Sequence, residues 1–579
     1  IVDWSYDEAV NARAKGKTPE ITLEDVEKFL LSAAATTNTA LPDELRGPLI
    51  LAVELMAKRM IELALANRNG IWAFILRNTY RPGLLSGQFN GLVSNPPWLA
   101  LSALAENPYK EALNARAKSY GIRPPGQSFL HLELGTTHLL HAVDRYLKAG
   151  ASVACLVPGT IFNGHHHEPF RRFEFLNSKR PVALEILEVW QVAPGTFKYP
   201  GAAIIGYKHS NDTALGATPP AGFVARPDVL ESADLSIRTI GTERTAWVLE
   251  REGLPVISTG MTELPQQGAD LMPRTALCVE ILNEGGVECR VDTPQRDTRW
   301  GFTIKAAKEL KGERFAGHVA PQFLYRIAQS ENLLPFLLGD NRAPIAIPAE
   351  RDGAGIWQIY DEATIRGQGF TETARRFQAI NTKLGNVGQG KTLQQRIDER
   401  GKLSKQVFGT EGYLIVAGAG GKHICAACLP IAEAHNLVID QTLYWKVIEN
   451  PDEAWFCVGM LNSQAMTTAI TPFNPQGAFG ERHIHALPYR LMPAFDASNE
   501  EHLQLAVLAR EAAAIASAIV ARDSYIGDPN RALTSRRTKL RTLLMGTKQL
   551  LEMEILCAAA LGTGAVNEEA VDAGDGVEH

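Results

Sequence analysis

The stretch Phe89-Asn90-Gly91-Leu92-Val93-Ser94-Asn95-Pro96-Pro97-Trp98 constrains this chain more than any other. The apolar run from Gly91 to Val93 reads as a buried strand that stops at a polar residue and two prolines. Each proline fixes φ and removes a backbone donor, so the chain must leave the sheet there in a stiff turn. An aromatic ring follows at once. A strand end built this way holds an amide, a carbonyl and a flat ring in fixed positions.

Those three groups suit a planar base with an exocyclic amine. The Asn95 side-chain oxygen and the Pro96 carbonyl can each accept one amine hydrogen. Accepting both keeps the nitrogen lone pair from delocalising into the ring. Trp98 can stack on the face of the base, a contact worth about 1–3 kcal/mol, and the base must leave its duplex to reach it. The tetrapeptide Asn95-Pro96-Pro97-Trp98 resembles the (Asp/Asn)-Pro-Pro-(Tyr/Phe/Trp) catalytic motif of amino-methyltransferases, and its Asn form is similar to that of the N6-adenine DNA methyltransferases. By that resemblance all four residues belong to a catalytic site.

The order of elements around the motif carries the same resemblance. His131 to Lys148 reads as a helix stopped at Gly150, followed by a strand from Ser152 to Val157 and a Pro-containing loop. Phe170-Arg171-Arg172-Phe173 reads as the opening of another helix. Apolar runs at 182–190 and 202–208 form a closing strand pair. Helices alternating with apolar strands argue for an α/β sheet, and the resemblance, which spans about 68 to 208, implies part of a Rossmann-like class I methyltransferase domain. It also assigns Phe197 to holding the base. Asn78, in the apolar block after Asn69-Gly70, is read as a residue near the cofactor or the active site, or as a turn amide. Arg171 and Arg172 read as a solvated helix face, with a phosphate contact as the alternative.

The resemblance implies S-adenosylmethionine as methyl donor. Enzymes of this kind hold it with a Gly-rich strand–loop–helix ahead of the catalytic motif, plus an acid on the next strand. Neither occurs before Asn95: Gly47, Gly70, Gly83 and Gly87 have the wrong spacing. The chain starts at Ile1 rather than Met. The expectation is therefore that the cofactor loop lies in a missing N-terminal segment or a second subunit.

The remaining sequence divides the 579 residues into three parts. Residues 1–210 form the catalytic domain with a helical segment at 1–67, where Thr22-Leu23-Glu24-Asp25 resembles a capping box. Residues 211–498 read as short strands and loops, including 438–445 and 455–463. They resemble the target-recognition region of type IIG-like restriction–modification enzymes, which would read double-stranded DNA by base-edge contacts. Residues 499–579 read as a helical C-terminal region.

A composition of 45% hydrophobic and 21% charged residues is that of a globular protein. Net charge −6 excludes a generally basic nucleic-acid coat but leaves room for a local basic cleft. Seven scattered cysteines point to a reducing compartment, here the cytoplasm, rather than a disulfide framework. No apolar run reads as long enough to span a bilayer, so no membrane partner is expected.

Three signals compete. Gly385 to Thr392 matches a phosphate-binding loop, but the preceding segment reads as a polar helix where such a loop needs a strand. The preferred reading puts Lys391 near a DNA phosphate. Cys425-Ala426-Ala427-Cys428 has ligand spacing in core-like surroundings, and His165-His166-His167 reads as a solvated loop, so no metal is expected. The reading taken is site-specific N6-adenine methylation of DNA in a restriction–modification or phage-defence system. The alternatives are a non-catalytic, methylase-like DNA-recognition subunit and, from another class, a nucleotide hydrolase built on Gly385–Thr392.

Overall fold

The computed structural model describes residues 2–17, 20–36, 43–66, 83, 85–193, 195–210, 219–240, 244–250, 263–283, 286–294, 310, 313–385, 390–418, 420–421, 423–474 and 486–562. The chain is mixed α/β. A seven-stranded sheet holds β1 (Phe89–Ser94), β2 (Leu147–Pro158), β3 (Leu184–Val192), β4 (Gly201–Lys208), β5 (Ala221–Ala225), β6 (Leu230–Ile240) and β7 (Arg244–Glu250). Their order across the sheet is β1-β2-β4-β3-β5-β6-β7. β1 runs parallel to β2, and β3 parallel to β5. The β3–β4 hairpin is antiparallel and inserts β4 beside β2.

Among the described residues β1 therefore stands at an edge of this sheet, and its exposure corrects the expectation of a buried strand. Val93 is 92% exposed, Phe89 is exposed and Leu92 is half-buried. The apolar run identified a strand, but an apolar run does not tell which neighbours cover it. The helix before β2 also ends earlier than expected, at Tyr146, and Gly150 (φ 77°) lies within β2. It falls where the β1–β2 register slips, between the Phe89–Leu147 and Gly91–Ser152 pairs. Glycine adopts the left-handed conformation such an irregularity needs.

The N-terminal helices Val2–Ala14, Leu23–Thr36 and Asp43–Leu65 pack on one another around Ile21, Val26, Val53, Ala57 and Ile61. The expected capping box is present: Thr22 Oγ1 accepts from the Asp25 N–H at 3.3 Å, and the Thr22 N–H donates to Asp25 Oδ2 at 3.0 Å.

The boundaries drawn at 210 and 498 are not packing boundaries. The sheet continues through β5–β7 to Glu250. One core joins Ala246 of β7, Ile415, Ala426, the helix Pro451–Asn462 and the C-terminal helices Glu500–Arg522, Leu533–Met545 and Lys548–Ala560. Between them lie small sheets, the largest pairing Tyr413–Gly418 with Ala426–Pro430 and Leu443–Ile448.

The segment read as a strand at 455–463 lies in the helix Pro451–Asn462 and its C-cap Ser463. The Asn450 side chain accepts from the N–H groups of Asp452 and Glu453, Pro451 starts the first turn, and two acids follow. This start signal outweighs the strand-like apolar run after it. The helix Glu500–Arg522 is long and apolar enough to cross a bilayer by length and composition, against the sequence expectation. It buries Leu505, Ala506, Leu508, Ala509, Ala512 and Ala516 in the core just described.

Candidate functional site

Three chain segments meet where β1 and β2 end and the β3–β4 hairpin turns. In open α/β sheets, ligands bind outside the carboxyl ends of the parallel strands. Asn95 is the first residue past β1 and is exposed, while Pro96 is buried behind it. The loop is then fixed by backbone bonds to the segment entering the helix Leu134–Tyr146. The Leu134 N–H donates to the Leu99 carbonyl at 2.9 Å, the Leu101 N–H donates to the Leu132 carbonyl at 3.0 Å, and an antiparallel bridge joins Ala100 to Glu133. The two prolines thus start a loop that is tied down again within five residues.

Trp98 and Phe197 come together across this corner. Their ring centroids lie 5.4 Å apart at 67°, an edge-to-face pair. Phe197 lies on the hairpin turn and is 38% exposed. Gly201, the first residue of β4, makes room for the pair. A Cβ there would lie 2.9 Å from Trp98 Cη2 and 3.1 Å from Phe197 Cδ2. The Trp98 indole nitrogen is buried without a protein partner. The Gly159 N–H, just past β2, donates to the Pro200 carbonyl at 2.8 Å and closes the corner from the other side.

Beside the loop is a group that sequence reasoning missed. The turn Gly164–His167 is a short 3-10 helix, not a solvated loop; His167 is buried and His166 is 13% exposed. Nε2 of His166 and of His167 lie 3.3 and 3.0 Å from the same oxygen, Glu133 Oε2, which also accepts from the Thr160 hydroxyl. Burial opposes ionisation of Glu133, yet the His166 and His167 hydrogen bonds hold its carboxyl well below the usual range. Burial holds the His167 imidazole down to about 4, so it is neutral near pH 7. Glu133 carries no local sequence signal. Only the meeting of segments more than thirty residues apart singles it out.

The basic residues assigned to DNA part company. Arg171 is buried, not part of a solvated helix face, and the helix holding it is only Glu168–Arg171, with Phe173 two residues on at φ 56°. Its guanidinium donates to the carbonyls of Ile161 (3.0 Å) and Gly164 (2.9 Å) and to Glu168 Oε1 (2.8 Å). Burial pushes it down to about 10. Glu168 Oε2 accepts from the Thr245 N–H at 2.8 Å, and Arg244 reaches the carbonyls of Asn163 and Phe473. Arg171 therefore ties the turn after β2 to β7 and cannot meet a phosphate. Arg172 is 34% exposed, 3.8 Å from Glu168 Oε2.

Lys391 pairs with Glu399 at 3.0 Å. Its loop follows the helix Thr371–Leu384 rather than a strand, and Thr392 caps a five-residue helix, which is not the strand–loop–helix a phosphate loop needs. Residues 386–389 and Asn78 lie outside the described residues. Cys425 is buried and burial raises the Cys428 thiol to about 12, as for core thiols.

Elsewhere, a cavity of ≈ 530 Å³ is lined by Tyr325, Arg351, Phe408, His435 and neighbouring residues. Arg351 is stacked between Trp357 and Phe408, 4.4 and 4.2 Å from the ring centres, and donates to the carbonyls of His435 and Leu437. It is a wall of the cavity.

No family model matches the chain, and no curated protein matches it. Among solved structures, the Type IIL restriction-modification enzyme MmeI in complex with DNA aligns over 83% of this chain and 55% of its own, at 14% identity and TM-score 0.46. The ATP-dependent Type ISP restriction-modification enzyme LlaBIII bound to DNA aligns over 76% and 30%, at 10% identity and TM-score 0.38. The type IIG restriction endonuclease BpuSI aligns over 83% and 55%, at 11% identity and TM-score 0.25. The chain spans about half the length of the first and third of these and less than a third of the second. The functional reading below rests on the site's own residues.

Proposed function

We propose that this chain is the base-gripping and DNA-reading part of an N6-adenine DNA methyltransferase of a restriction–modification or related phage-defence system. The observation that carries the reading is Asn95: an exposed amide at the mouth of a strand, ahead of a buried proline and beside an edge-to-face aromatic pair. Asn95 Oδ1 and the Pro96 carbonyl accept the two amine hydrogens of a flipped adenine, which leaves the nitrogen lone pair available as nucleophile. Trp98 stacks on the base and Phe197 closes its edge. None of these roles needs a covalent enzyme intermediate.

S-adenosylmethionine would supply the methyl group. The described residues furnish the base side of such a site and not the cofactor side. No Gly-rich strand–loop–helix occurs among them, and β1, the strand that leads into Asn95, has a single sheet neighbour among the described residues. A strand supplied by a further segment or a second subunit could pair along that edge. DNA recognition by the 211–498 region and a Rossmann-like relationship for the first region belong to the same proposal.

Two measurements test it. Methyl transfer to adenine in duplex DNA is assayed on the protein with and without any companion chain, for the wild type and Asn95→Ala. Flipping is followed with 2-aminopurine at the target position. The reading is overturned if Asn95→Ala transfers methyl groups at the wild-type rate. That no cofactor cradle occurs among the described residues leaves one second reading, a recognition subunit without catalysis. That reading expects tight DNA binding, no 2-aminopurine response and no S-adenosylmethionine binding by calorimetry under any pairing.

A further inference from the structure

We propose that Glu133, His166 and His167 form a binding site for a divalent transition-metal ion of the zinc class, adjoining the loop that carries Asn95. One carboxylate oxygen and two imidazole nitrogens, each able to offer one ligand atom, all lie within 4.8 Å of one another. The proposal is independent of the methyl-transfer reading, since it concerns different side chains and needs no reaction.

The distances suit such an ion. Zinc bonds of 2.0–2.1 Å in a tetrahedron place neighbouring ligand atoms about 3.3 Å apart. Here Glu133 Oε2 stands 3.3 Å from His166 Nε2 and 3.0 Å from His167 Nε2. The imidazole rings are 4.4 Å apart, tilted by 53°, and the third edge, between their ligand nitrogens, is no longer than 4.8 Å. Two histidines and one glutamate are a known kind of zinc set, with the fourth position left to water. Glu133 and His166 are 19% and 13% exposed, which gives the ion a way in.

Hydrogen bonding alone explains the cluster poorly. A carboxylate oxygen has two lone-pair sites, yet Thr160 and both imidazoles all point at Oε2. If both imidazoles donate there, His167 is left with a buried Nδ1 that has no partner. Placing the proton on Nδ1, which has no protein partner in either tautomer, frees Nε2 as a ligand and removes one of the crowded donors. An ion would then bind the turn Gly164–His167 to Glu133, whose backbone is bridged to Ala100. It would brace the loop that positions Asn95 from behind.

The test uses the whole chain, stripped with a chelator and titrated with Zn²⁺ by calorimetry and with Co²⁺ by visible absorption. The expected result is one equivalent per chain and a tetrahedral Co²⁺ spectrum without a thiolate charge-transfer band. His166→Ala and Glu133→Gln should each weaken binding by more than the roughly 10–100-fold that loss of an outer partner costs. His165→Ala and Thr160→Ala should retain it, and Zn²⁺ should raise the Tm of the wild type but not of His166→Ala. Absence of stoichiometric binding overturns the proposal. So does binding that survives His166→Ala, or a thiolate band that places the ion on Cys425 and Cys428.

Discussion

Two polar regions lie within a few residues of the same sheet ends and behave in opposite ways. At the Asn95 corner the amide is exposed, its loop is held by backbone bonds and by packing of Pro96 and Leu101, and the aromatic partner Phe197 faces solvent. Behind it, Glu168, Arg171, Arg244 and Thr245 are buried and knitted to one another. The first region leaves its side-chain amide open to solvent. The second spends its hydrogen-bonding capacity on holding the turn after β2 against β7. Charge in a sequence therefore does not tell an exposed side chain from a buried structural one.

The largest effect should come from the buried side. Arg171→Ala removes a buried guanidinium that joins Glu168 to the carbonyls of Ile161 and Gly164, leaving Arg244 at 3.5 Å as the nearest remaining cation, and should cost about 3–5 kcal/mol in urea unfolding. Arg172→Ala should stay within about 0.5 kcal/mol, and any phosphate contact made by this pair would appear there as a salt-dependence slope lower by about one. Equal losses from the two would erase the distinction. Asn95→Ala should do the reverse of Arg171→Ala. On the proposed reading, methyl transfer should fall roughly 100–1000-fold, the size expected when one oriented transition-state hydrogen bond is removed, with the unfolding midpoint unchanged.

Gly201→Ala sharpens the comparison, because it strikes the aromatic pair without touching a polar group. Its Cβ would meet Trp98 and Phe197 inside van der Waals contact, at a cost of about 1–3 kcal/mol. A shifted tryptophan emission and weaker binding of 2-aminopurine DNA are the readouts. The smallest effect concerns pH. Burial, followed by Arg116, holds His141 down to about 4 from 6.5. The unfolded chain takes up that proton first, so stability falls as pH drops from 6.5 towards 4. His141→Gln should flatten the denaturation midpoint across that window.

Several features were legible because their physics is local. Asn95-Pro96-Pro97 ends β1 where the prolines require it. The Thr22–Asp25 box caps its helix, and the 182–190 and 202–208 runs pair as β3 and β4, shifted by one or two residues. Trp98 and Phe197, singled out separately, lie in contact. Other features failed for the opposite reason. The strand read at 455–463 ignored the start signal at Asn450-Pro451. The 210 boundary ignored that edge-to-edge pairing can extend a sheet through β5–β7 without any mark in the sequence.

By itself, then, the sequence determined where the backbone must turn, cap and stop, because proline, glycine and short polar side chains act within about four residues of themselves. Tertiary structure decided which polar groups lie inside and which of them meet. Arg171 and Arg172 are neighbours with the same charge, yet one is sealed among carbonyls and the other reaches water. Glu133 finds His166 and His167 only because β2 carries the chain back beside the Asn95 loop. Burial and convergence depend on segments far apart in sequence, and no local pattern records them.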